Sequence, residues 1–125
     1  MSLPHRVLVV DDDPEIRETM VEVLNDEGYE AVGACDGVQA LEQLRAPADR
    51  WCLVLLDLMM PNMDGRTFRA EQLRDPALAS IPVVIVSAMT DVAAAAEELR
   101  VSGHMTKPIP LRALLQMVRQ FCAGN

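Results

Sequence analysis

Aromatic side chains are scarce in this chain, with one Trp, one Tyr and two Phe, so aliphatic residues must pack its core. Long apolar runs are missing too. None approaches the roughly 20 residues that a membrane-spanning helix needs, and no basic-then-apolar leader opens the chain. A cytoplasmic protein without membrane contact is expected. Positive charge is in deficit: 11 Lys and Arg against 19 Asp and Glu leave a net charge of −8. A surface of that sign argues against direct nucleic-acid binding. Cysteine is sparse, and Cys35, Cys52 and Cys122 form no CxxC pair. They read as buried free thiols in a reducing compartment. Lysine is as rare as Trp or Tyr. Lys107, just before Pro108, is the only one among the 11 cations.

What is present alternates. Arg6 to Val10 reads as a buried strand. Asp13-Pro14 then supplies an N-cap and a first-turn proline for a helix carrying Ile16, Met20, Val23 and Leu24, closed near Gly28. Tyr29 to Ala34 is a second strand. Asp36 caps a helix with Val38, Leu41 and Leu44, which Pro47 stops. Trp51 to Leu56 is a third strand, and a Pro-Asn-Met-Asp-Gly turn leads to a helix from about Arg66 to Leu73. Val83 to Val86 forms a fourth strand, Asp91 to Val101 a helix, and His104 to Thr106 a short fifth strand. Pro110 opens a last helix with Leu111, Leu114, Leu115 and Val118. Five β–α units with continuously apolar strands predict an α/β fold, a doubly wound parallel sheet with helices on both faces. At 125 residues the chain has room for one domain, expected over residues 4–123. Met1 to Leu3 are set aside as a remnant of expression.

In such a sheet the C-terminal ends of all strands share one rim, where ligands bind. The predicted strands end there in Asp11 and Asp12, in Asp57, in Ser87 and in Lys107. Two carboxylates about 4 Å apart repel by roughly 4 kcal/mol at an effective dielectric of 20. Three would take up protons or recruit a cation. Oxygen donors suit Mg²⁺, which keeps several waters and shares its shell with phosphate. An Asp carboxylate can attack phosphorus to form an acyl phosphate, and Lys107 and Ser87 are placed to stabilise the equatorial oxygens.

The stretches "VLVVDDDPEIRE", "VLLDLMMPNMDG", "PVVIVSA" and "TKP", in this order and at fitting spacings, resemble the receiver domain of two-component response regulators. The resemblance covers about Arg6 to Cys122. It implies a flavodoxin-like strand order 2-1-3-4-5 and a phosphoprotein that catalyses only its own phosphorylation and dephosphorylation. It makes Asp57 the phosphoacceptor, and Asp11 and Asp12 the pair that holds Mg²⁺ with Asp57 and the backbone carbonyl of Met59. Ser87 becomes the switch hydroxyl, and Lys107 the partner of the phosphoryl group, its bond to Pro108 cis. The implied partners are a sensor histidine kinase or histidine phosphotransfer domain and a downstream output protein or domain. A dimer through the fourth helix, fifth strand and fifth helix is a further arrangement the resemblance allows.

Two departures stand out. His104 takes the switch position where the family usually has Tyr or Phe, and the stretch from Ser87 to Lys107 is slightly short. Two other functions compete. A haloacid-dehalogenase-like phosphatase also ends its first strand in Asp-x-Asp, a spacing met by Asp11 and Asp13, although Glu15 stands where Thr or Val is usual. A degenerate receiver acting only as an interaction module is the other.

Overall fold

The computed structural model describes residues 6–46 and 51–122. Within it β1 (Arg6–Val10), α1 (Pro14–Asp26), β2 (Glu30–Ala34), α2 (Gly37–Arg45) and β3 (Trp51–Leu56) form the first half. Then come α3 (Gly65–Arg74), β4 (Val83–Ser87), α4 (Val92–Leu99), β5 (Gly103–Thr106) and α5 (Leu111–Phe121). The strands make one parallel sheet in the order β2-β1-β3-β4-β5, as the resemblance implies.

Strand periodicity of two divides the core into two layers. Leu8, Val10, Val54, Leu56 and Ile85 face α2, α3 and α4, meeting Leu41, Leu44, Phe68 and Val92. Val7, Val9, Leu53, Leu55 and Val84 face the other way, meeting Met20 and Leu24 of α1 and Leu114 and Val118 of α5. Because both faces are covered, β1, β3 and β4 read as unbroken apolar runs. Each fully buried Leu or Val contributes about 1.5–3 kcal/mol. That makes β1 and β3, at the centre of the sheet, the firmest support for whatever their ends carry.

The expected elements are all present, with boundaries moved by small amounts. Asp13 caps α1, its side chain accepting from the amides of Glu15 and Ile16. Asp36 caps α2 through the Gln39 amide. The expected stop at Pro47 lies outside the described residues, as do Met1 to Leu3. α4 ends at Leu99 rather than Val101 because Arg100 turns left-handed (φ 55°). Arg69 on α3 meets this turn. Its buried guanidinium donates to the carbonyls of Leu99 (3.1 Å) and Arg100 (2.8 Å) and to Gln72 Oε1 (2.8 Å). Gln72 in turn donates to the carbonyls of Leu78 and Ile81, both at 3.0 Å.

The expectation of three free thiols fails for two of them. Cys52 on β3 and Cys122 at the end of α5 form a disulfide, with Cα atoms 5.2 Å apart, and Cys35 is left free. α5 packs back across β3 and closes a sequence separation of 70 residues, a proximity that spacing in the sequence cannot reveal.

Candidate functional site

The ladder of the sheet continues past the strand ends and fixes the rim. Asp11 N–H donates to the Ala34 carbonyl (3.1 Å), Asp57 N–H to the Val10 carbonyl (2.9 Å) and Lys107 N–H to the Ser87 carbonyl (2.9 Å). In each case the backbone of the neighbouring strand holds a residue of the sequence-predicted site. Side chains from Asp11, Asp12 and Asp57 converge until an oxygen of each lies within 4.8 Å of the others. Asp11 and Asp57 are buried, 2% and 7% exposed, while Asp12 opens to solvent.

Lys107 reaches across from beyond β5. Its Nζ donates to Asp11 Oδ2 at 2.7 Å and to Asp57 Oδ2 at 3.1 Å. The Lys107–Pro108 peptide is cis, as expected from the resemblance. Burial pushes the Asp57 carboxyl above its ordinary pKa. The Met59 amide (3.2 Å) and the Lys107 charge only partly offset that, and the Asp11 charge adds to it. For Lys107, burial alone would lower the pKa. The hydrogen bond to Asp11 and the charges of Asp57 and Asp11 outweigh burial, and the net shift is upward. Ser87 is buried, and its Oγ accepts from the Met89 amide at 3.3 Å.

Three carboxylates and one ammonium leave an excess of negative charge in a half-buried cleft. An all-oxygen donor set within 4.8 Å fits a hard divalent cation. Met59 exposes its side chain (67%) at the cleft mouth, beside Met60, Met89 and Arg66. Asp13 does not join the cluster. Its carboxylate is spent on capping α1, which removes the Asp-x-Asp pairing that a phosphatase reading needs. His104 lies on β5 opposite Ile85 with its ring exposed.

The sequence profile of the response regulator receiver domain matches residues 7–119. The chain belongs to that family. This receiver is 36% identical over 124 residues to the DNA-binding response regulator MtrA of Mycolicibacterium smegmatis, covering 94% of this chain and 50% of that protein. It is 38% identical over 116 residues to the sensory transduction protein RegX3 of Mycobacterium tuberculosis, covering 90% of this chain and 48% of that protein. The chain therefore spans about half the length of these curated relatives. Among solved structures it is similar to a response regulator receiver protein from Pseudomonas putida, with a TM-score of 0.86, 30% identity and 96% and 99% of the two chains covered. It is also similar to the phosphorylated cyanobacterial phytochrome response regulator RcpA, with a TM-score of 0.77, 33% identity and 94% and 90% covered. A receiver is a signalling module rather than a turnover enzyme.

Two groups of residues around the receiver site escaped the sequence reading. Arg17 donates from Nη1 to the Asp11 carbonyl at 2.9 Å. It lies on the first turn of α1 and points back over the N-terminus, as helical side chains do, so its position relative to the Asp13 cap was a usable signal. The other is Asn62 with its contact to Asp36, a residue expected only as a helix cap. Asn62 Nδ2 donates to Asp36 Oδ2 at 2.7 Å, a contact between segments that nothing in their local sequence links.

Proposed function

We propose that this receiver, assigned to residues 4–123, is a phosphoacceptor switch that takes a phosphoryl group on Asp57. The observation that carries the reading is the cluster of Asp11, Asp12 and Asp57 bridged by Lys107 at the ends of adjacent strands. The donor is a phosphohistidine on a histidine kinase or phosphotransfer domain, the partner that a receiver implies. An Asp57 oxygen attacks phosphorus, the O–P bond forms and the N–P bond to imidazole breaks, and the imidazole leaves with a proton. Lys107, already within hydrogen-bond distance of Asp57, neutralises a phosphoryl oxygen. Ser87 supplies a hydroxyl from the neighbouring strand once it lets go of the Met89 amide.

Asp11, Asp12, Asp57 and the Met59 carbonyl would hold Mg²⁺. When bound, Mg²⁺ supplies charge neutralisation for the incoming phosphoryl oxygens. His104, exposed on β5 next to the strand that carries Ser87, is the side chain we assign to report the phosphoryl group to the output face. That output is a downstream protein or domain. MtrA is named a DNA-binding regulator, so a DNA-binding output is one form we propose for that downstream partner. The proposed compartment is the cytoplasm. No helix among the described residues is long and apolar enough to cross a membrane.

Beryllofluoride, a phosphoryl mimic, tests the reading in solution. With Mg²⁺ present it should shift the amide resonances of Asp57, Ser87 and Lys107 beyond any change that Mg²⁺ alone brings, and beryllofluoride without Mg²⁺ should leave them in place. Absence of any shift with both reagents would contradict the proposal.

A further inference from the structure

The segment between β3 and α3 carries the Met59 carbonyl; Leu58 is buried and Met60 and Met63 pack against the core, while Pro61, Asn62 and Asp64 stand exposed. Met59 is largely exposed. Three hydrogen bonds hold this segment at its far end. Gly37 N–H, the first residue of α2, donates to the Met63 carbonyl at 3.0 Å. Gly65 N–H donates to the Leu58 carbonyl at 3.0 Å, closing the segment on itself. Asn62 Nδ2 donates to Asp36 Oδ2 at 2.7 Å, while the other Asp36 oxygen caps α2 at the Gln39 amide, 2.9 Å away.

The approach is as close as backbones allow. A Cβ on Gly37 would stand 2.8 Å from the Met63 carbonyl oxygen, and one on Gly65 2.7 Å from that of Asp57. Asn62 holds a left-handed backbone (φ 64°), a conformation Asn tolerates better than most residues. Asp36 is buried, 7% exposed. Its bonds from the Gln39 amide and from Asn62 keep its pKa below the ordinary carboxylate value, so it stays ionised as an acceptor for both.

We infer that Asp36 and Asn62 are positioning residues for the metal site: their hydrogen bond anchors the 57–65 segment to the start of α2 and sets where the Met59 carbonyl points. The inference rests on the phosphoacceptor reading, with Mg²⁺ held by Asp11, Asp12, Asp57 and that carbonyl. α2 is rooted in the core through Ala40, Leu41 and Leu44, so the anchor ties the exposed turn at Pro61 and Asn62 to a helix fixed in the core. Ordering the segment in advance spares Mg²⁺ the entropy of ordering it on binding.

Two substitutions cut this bond while sparing its surroundings. Asp36→Ser keeps an N-cap for α2 but is too short to reach Asn62. Asn62→Gly accepts the left-handed backbone but has no amide. Asp36→Asn keeps both roles once the Asn62 amide turns round. Calorimetric titration with Mg²⁺ gives the dissociation constant, and hydrogen exchange of the Gly37 amide reads the anchor without metal. Each cutting variant should weaken Mg²⁺ by about tenfold, the lower end of the loss when an outer partner of a metal site is removed. The double variant should be no weaker than either single one. Gly37 should exchange faster in both metal-free variants, and Asp36→Asn should bind as the wild type does. Lower melting temperatures with unchanged Mg²⁺ affinity would overturn the inference and leave the phosphoacceptor reading standing. A wild type that fails to bind Mg²⁺ would overturn both.

Discussion

Lys107 lies closer to Asp11 than to Asp57, at 2.7 against 3.1 Å. Without a metal its ammonium is the charge that lets two buried carboxylates sit side by side. Lys107→Met should therefore destabilise the metal-free protein by about 3–5 kcal/mol, the usual result of stripping a partner from buried charge. Mg²⁺ should recover part of that loss, so its stabilising effect should be larger in the variant than in the wild type. Urea denaturation with and without Mg²⁺ measures both quantities.

Mg²⁺ should stabilise the wild type as well. Linkage gives about 2.7 kcal/mol at a hundredfold excess over Kd, or roughly 10 °C in Tm for a domain of this size. Asp12→Asn should shrink that shift. A Tm indifferent to millimolar Mg²⁺ would count against a metal site.

The raised pKa of Asp57 gives a dependence on pH of definite sign. A carboxyl that binds its proton more tightly when folded contributes stability fully present below its ordinary pKa of 3.8, lost as pH rises through the raised value. Above that value the folded protein carries an unfavourable charge. Asp57→Asn should then raise Tm in metal-free buffer near neutrality, and the gain should fade as pH drops toward 3.8. Thermal melts of the two proteins across that range check the sign.

Met59 and Met89 line the same open cleft beside Asp12, so their side chains help set how dry the surroundings of a phosphorylated Asp57 would be. Thioethers neither orient water nor abstract its proton. Replacing them with Met59→Asn and Met89→Glu should speed loss of phosphate by about tenfold or more, a modest part of what a positioned base can supply. The decay of acid-labile phosphate after removal of donor decides it. Equal or slower decay in the double variant contradicts the prediction.

Cys52 and Cys122 should titrate as one disulfide. Protein isolated without reductant and then denatured should show one thiol, Cys35, and reduction should release the other two. Closing a loop of 70 residues is worth about 4 kcal/mol in the chain-entropy estimate, so reduction should lower Tm. Three thiols titrating before reduction would show the bond to be absent.

The fold was legible because its strands are apolar on both faces and its helices carry caps, as Asp13 and Asp36 show. The rim was legible because chemistry-bearing residues fall immediately after apolar runs. Contacts between segments distant in the chain were not. Nothing local announces that α5 brings Cys122 onto Cys52. Nor does the sequence show that Arg69, an ordinary helical cation by pattern, turns inward to take the last carbonyls of α4. Asn62 looked like turn chemistry and proved to be bonded to Asp36. In each case the partner is chosen by tertiary packing, which periodicity does not encode.

Whether Asp57 is the phosphoacceptor can be read directly. The protein is incubated with acetyl phosphate and Mg²⁺, and the product is analysed by intact mass and by peptide mapping of the acyl phosphate. The account predicts a single phosphoryl group, on Asp57, and none on Asp57→Asn or without Mg²⁺. Phosphate on the Asp57→Asn protein, or on any other residue of the wild type, would contradict it.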